Sequence, residues 1–95
     1  SAHAKKSLIT DPNLSSRCRE LLKVRKHKIK VKQKGVAMVR RIESLLEKTD
    51  IRKKTAIKKL DFILNRTNQE LRLVSYQIDN LEEEIVRNGC PGIRI

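Results

Sequence analysis

Aromatic residues are almost missing from this chain: one Phe, one Tyr and no Trp among 95 residues. That removes the surface of rings interleaved with basic side chains on which much nucleic-acid recognition rests. Glycine and proline are scarce too, three and two residues, and no glycine-rich phosphate cradle or nucleophile elbow can be drawn from them. No apolar run approaches the roughly 18 residues of a membrane span. The opening stretch Ser1-Ala2-His3-Ala4-Lys5-Lys6 lacks the apolar segment of a secretory leader. His3 and His27 have no carboxylates at a useful spacing, and His27 sits in a run of lysines as one more solvated basic residue. No catalytic residue, cofactor or metal ligand is therefore expected, and the chain does not read as an enzyme.

Cysteine is limited to Cys18 and Cys90, far apart and without metal-ligand spacing. An antiparallel hairpin would bring them near enough for a disulfide, whereas an intracellular helical protein keeps such thiols reduced. Reduced thiols are the expectation and the disulfide is the alternative.

Charge and helical periodicity are what the chain has in quantity. Charged residues make up 36%, with a net charge of +12. Residues 1–35 hold eleven Lys/Arg and two acids, residues 36–60 eight and three, and residues 61–95 four and six. A basic half followed by a mildly acidic one suggests two segments that attract each other, with positive charge left over.

The clearest pattern lies in the second half. Ile57, Leu60, Leu64, Thr67, Leu71, Val74, Ile78, Leu81 and Ile85 recur in alternating steps of three and four. That spacing keeps one narrow seam of an α-helix facing a partner helix. The first half is less regular. Val24, Val31, Met38 and Leu45 repeat every seven residues, flanked by Leu21 and Ile42, while Leu22, Ile29 and Val36 form a second series. Two stripes imply a broad contact or a second partner.

Helix boundaries follow from local chemistry. Asp11-Pro12 reads as a helix start with Leu8 or Ile9 as a staple, Thr49-Asp50 as a break, and Asn88-Gly89 followed by Pro91 as a strong stop. The expected organisation is an arm over 1–10, a helix over 11–48, a turn over 49–51, a helix over 52–88 and a tail over 89–95. The fold class is all-α, an antiparallel helical hairpin or coiled-coil finger. Its helices would be about 50 Å long at 1.5 Å per residue. If the chain folds back, positions whose numbers sum to about 100 face each other. Asp79, Glu82, Glu83 and Glu84 then lie beside Arg17, Arg19, Lys23 and Arg25. One continuous helix that dimerises in parallel is the rival topology.

Phe62, Arg66, Gln69, Leu73 and Tyr76 step along the second helix away from its seam. Aromatics with Arg on one side of a rigid helix are typical interface anchors. The competing reading is that the second stripe of the first helix, or Ile93 and Ile95 in the tail, covers them. Lys26, Lys30 and Lys32, in the basic stretch 23–34, would steer an acidic partner.

Two stretches resemble a known family. Lys30-Val31-Lys32-Gln33-Lys34-Gly35-Val36-Ala37-Met38 resembles the basic-apolar-basic run of the homology-region-1 repeat of Rho effectors, found in protein-kinase-C-related kinases, rhophilin and rhotekin. Ile63-Leu64-Asn65-Arg66-Thr67-Asn68-Gln69-Glu70-Leu71, continuing to Ile78, Leu81 and Ile85, resembles its second helix. There a Ser or Thr sits mid-seam. The likeness covers about residues 14–86; Gly35 falls one position later than in the family, and Val36 and Ala37 replace a polar pair.

The resemblance implies an antiparallel coiled-coil finger that binds a Rho-type small GTPase in its GTP form, whose switch regions the γ-phosphate orders. It also implies a cytoplasmic signalling role, peripheral to a membrane where the GTPase is. The alternatives are a self-associating structural coiled coil, with a homodimer as partner, and a basic module for an anionic membrane surface or nucleic acid. Nucleic acid is the less favoured of the last two.

Overall fold

The computed structural model describes residues 15–91. Two helices account for most of them: α1, Ser16–Lys48, and α2, Lys54–Arg87. They pack antiparallel as a hairpin with extents of 68 × 22 × 19 Å, so the continuous-helix topology does not hold. The helix start expected at Asp11, with Leu8 or Ile9 against it, lies outside the described residues, as do Ile93 and Ile95. The described helix begins instead under a Ser15 N-cap, whose hydroxyl accepts a 3.0 Å hydrogen bond from the Cys18 N–H.

The nine-residue seam of α2 turns inward along its whole length. Ile78 and Ile85 are buried and the other seven are half-buried. Thr67, the one polar member, donates its hydroxyl proton to the Ile63 carbonyl at 2.8 Å, so its oxygen is satisfied within its own helix.

The inward face of α1 differs from the apolar pattern. Cys18, Leu21 and Ile42 are buried, and Leu22, Arg25, Lys28, Ile29, Gly35, Val36, Val39 and Leu46 are half-buried. The heptad series Val24, Val31, Met38 and Leu45 is not the seam: these side chains are 37–47% exposed along its edge. Cationic residues occupy inward positions because α2 supplies their partners. The Arg25 guanidinium donates two bonds to Glu82 Oε2, at 2.9 and 2.8 Å, and Lys28 Nζ donates to Gln77 Oε1 at 3.0 Å. Their aliphatic stems cover the seam while their heads reach polar groups at its rim. Arg17 pairs with Glu84 beyond them, and Glu84 holds the Arg17 guanidinium above its ordinary pKa through that hydrogen bond.

Gly35 lies where Leu71 of α2 comes close to the backbone of α1. A Cβ there would stand 2.5 Å from Leu71 Cδ2 and 3.2 Å from Leu71 Cγ. The absent side chain lets Leu71 fill the space, which offsets the roughly 1 kcal/mol that a helical glycine costs.

The connector spans five residues, 49–53, rather than three. Asp50 does not cap α2. Its Oδ1 accepts the Arg52 N–H at 2.9 Å, and the carboxylate also binds the Arg52 guanidinium, with Nη2 donating to Oδ2 at 2.8 Å. This local turn delays the helix to Lys54, and no side chain caps its first turn. The longer connector moves the centre of the turn from 50 to 51 and raises the sum of facing numbers by about two. Arg17–Glu84 sums to 101, close to the expected 100, whereas Arg25–Glu82, Lys28–Gln77 and Gly35–Leu71 sum to 105–107.

The stop at Asn88-Gly89 forms as its residues dictate. Gly89 takes φ +63°, its N–H donates to the Val86 carbonyl at 2.9 Å, and the Cys90 N–H donates to Ile85 at 3.1 Å. This pair of bonds is the Schellman motif, and it folds the chain back over the last turn. Cys90 is thereby carried to Cys18, and the two form a disulfide with Cα atoms 5.5 Å apart. The expected free thiols are thus corrected. The register and the Schellman turn together bring the sulfurs to bonding distance at the open end of the hairpin.

Candidate functional site

The α2 seam points inward, so residues half a turn away point outward at 100° per residue. That geometry places Phe62, Arg66, Gln69, Leu73 and Tyr76 in one exposed line, roughly 21 Å long at 1.5 Å per residue. Phe62, Leu73 and Tyr76 are 65%, 56% and 64% exposed. Among the described residues, no stripe of α1 covers them. Arg66 Nε lies 3.5 Å from Glu70 Oε1 in a surface pair one turn long, a loose contact that an incoming carboxylate can replace at little cost.

The three steering lysines do not join this line. Lys26 and Lys30 are exposed on the outward side of α1, which faces away from the outward side of α2. Lys32 borders the groove formed by Arg25, Ile29, Val36, Ile78 and Glu82. A single compact partner on the Phe62–Tyr76 line therefore feels these cations at long range rather than touching them.

A second surface runs along the edge where Lys28 meets Gln77. Val24, Val31, Met38 and Leu45 lie there along α1, and Leu73, one turn before Gln77, borders it from α2. The apolar atoms of this edge sit at coiled-coil spacing, which suits another helix laid alongside.

Among the described residues, no cluster of three or more His, Cys, Asp or Glu side chains could hold a metal ion. No helix there is long and apolar enough to cross a membrane. No protein-family model, curated protein or solved structure matches the chain.

The inward positions that a search for apolar stripes passes over are Arg25, Lys28 and Gly35, although charge already placed Arg25 beside the acids of α2, where it bonds Glu82. Polarity hides the first two from any search for apolar stripes. The one available signal was charge: Glu82 to Glu84 near a helix C-terminus, where the macrodipole disfavours acids, call for basic partners.

Proposed function

We propose that the hairpin is a non-catalytic protein-interaction module whose partner docks on the outward line of α2. The observation that carries this reading is the exposure of Phe62, Leu73 and Tyr76 together on one side of a rigid helix, beside Arg66 and Gln69. Large apolar side chains of this kind become interface anchors when a partner desolvates them. The partner class we propose is a Rho-type small GTPase in its GTP form. Support comes from the hairpin architecture and from the way the two stretches resembling the homology-region-1 repeat, 30–38 and 63–71, pack on one another through Gly35 and Leu71.

Such a partner goes with a cytoplasmic site near a membrane. There the Cys18–Cys90 pair would be reduced, leaving the seam and the Arg17–Glu84 and Arg25–Glu82 pairs to hold the open end.

The test is a calorimetric titration of the chain against Rho-, Rac-, Cdc42- and Rap-type GTPases, each loaded with GDP or a GTP analogue, at near-physiological salt. GTP-selective binding that Leu73→Asp abolishes, with helicity and melting temperature unchanged, is expected. Equal affinity for both nucleotide states would refute the effector reading.

A second reading, self-association, is favoured by the exposed edge Val24, Val31, Met38 and Leu45. It predicts a dimer by light scattering that Val31→Glu and Met38→Glu disperse. Leu73 borders both surfaces, so these α1 variants are the ones that separate the two readings.

A further inference from the structure

The loop pole of the rod gathers basic residues around the turn. Residues 48–59 hold Lys48, Arg52, Lys53, Lys54, Lys58 and Lys59 against one acid, Asp50. Every one of these charged residues is exposed. Asp50 is committed to Arg52. Among the described residues, none of the five lysines has a carboxylate within ion-pair distance. At the opposite pole, Arg17 and Arg25 are matched by Glu84 and Glu82. The loop pole thus carries five lysines without a carboxylate partner at one end of a rod 68 Å long, apart from the unpaired lysines of the stretch 23–34 along its side.

An apolar residue stands in the middle of this charge. Ile51 is 81% exposed, more than any other large hydrophobic side chain among the described residues. The neighbouring turn of α2 adds a shallow hollow lined by Arg52, Lys53, Lys54, Thr55, Ala56 and Lys59. The Asp50–Arg52 turn holds the apex in shape, because Asp50 takes both the backbone N–H and the guanidinium of Arg52. Ile51 stands between Asp50 and Arg52 with most of its side chain left in water.

We propose that this pole docks end-on to an anionic lipid surface, with Ile51 entering the headgroup–acyl boundary and the surrounding cations binding lipid phosphates. Basic residues are attracted to an anionic leaflet, each strengthening binding roughly fivefold when held near the surface. Apolar side chains beside them add affinity by leaving water. Lipid fits better than nucleic acid, because a phosphodiester backbone offers Ile51 nothing to bury against. Both aromatics that might stack on bases, Phe62 and Tyr76, lie up α2 rather than at the apex. Docked this way, the rod stands away from the surface and leaves the Phe62–Tyr76 line free along its side.

The experiment is co-sedimentation of the oxidised full chain with vesicles of phosphatidylcholine alone or with roughly a third phosphatidylserine, beside a short DNA duplex at the same salt. Binding to the anionic vesicles only is expected. Lys53→Gln/Lys54→Gln/Lys59→Gln should weaken it by about a hundredfold, and Ile51→Ser by about tenfold with the salt dependence unchanged. The control Lys23→Gln/Lys34→Gln/Arg72→Gln removes the same charge from the sides of the rod and should cost at most severalfold. An equal loss in that control would overturn the proposal in favour of unspecific attraction by net charge. Tighter binding to the duplex, with Ile51→Ser neutral, would overturn it in favour of a phosphate-backbone site.

Discussion

Breaking the Cys18–Cys90 bond is the perturbation with the largest expected effect on the hairpin. The bond joins residues 72 apart in sequence, so it removes much of the freedom of the unfolded chain. The loop-closure relation gives about 15 cal/mol/K for a loop of that length, or about 4.4 kcal/mol at 25 °C. The folded side of the balance is thin: only Cys18, Leu21, Ile42, Ile78 and Ile85 are buried hydrophobics among the described residues, and one of the five is in the bond itself. A two-helix rod has no third layer to cover the rest, which is why small domains so often rely on a covalent staple.

Reduction, or Cys18→Ser/Cys90→Ser, should therefore lower the midpoint of thermal unfolding by about 18–35 °C, at the 4–8 °C per kcal/mol usual for domains of this size. The assay is far-UV circular dichroism on the oxidised and reduced chain at neutral pH, with an intact mass two hydrogens lighter confirming the oxidised state. Hydrogen exchange adds location: on reduction, amides near Cys18 and Ile85 should lose protection before those near Leu46 and Ile57, because only the open end is released. A midpoint that moves by less than about 3 °C would refute the reasoning. It would mean that the seam and its ion pairs close the end without the staple.

Two further perturbations follow from the packing and the turn. Gly35→Ala should destabilise the hairpin by up to about 2 kcal/mol, the overpacking against Leu71 outweighing the gain in helix propensity. The cost should shrink in a Leu71→Ala background, and chemical denaturation of the four chains in that cycle measures the coupling. The Asp50 carboxyl titrates below its ordinary value of 3.8, chiefly through its bond from the Arg52 side chain and then through the Arg52 N–H. Because the folded value is depressed, its stabilising contribution is complete above that ordinary value and is lost as pH falls through the folded one. A stability profile in acid should show a component below about pH 4 that is absent from Asp50→Ala.

Much of this architecture was legible in the residues, for reasons that differ between the helices. The α2 seam could be read because all but one of its nine positions are apolar, and Thr67 closes its own hydrogen bond. The stop at Asn88-Gly89 was legible because a residue at φ +63° followed by Pro91 leaves a helix no continuation. The α1 seam was not legible, since its contact positions include Arg25, Lys28 and Gly35, suited only to what α2 places opposite them. Its most regular apolar series proved to be the edge.

The register differs from the expected one by five to seven in the sum at three of four cross-helix contacts, and about two of that follows from the connector, where Asp50 binds Arg52 and α2 starts only at Lys54. The disulfide depended on that register and on the Schellman turn, neither of which is visible in the spacing of two cysteines. The outward line on α2 needed only the seam to be right, since residues half a turn from a buried stripe must face water.

The most direct test of the interaction surface is an NMR titration of the isotope-labelled chain with a Rho-type GTPase, once with a GTP analogue and once with GDP. Shifts with the GTP analogue alone are expected, concentrated on Phe62, Arg66, Gln69, Leu73 and Tyr76, with the α1 edge from Val24 to Leu45 unmoved. Shifts confined to that α1 edge, or the same shifts in both nucleotide states, would contradict the effector reading.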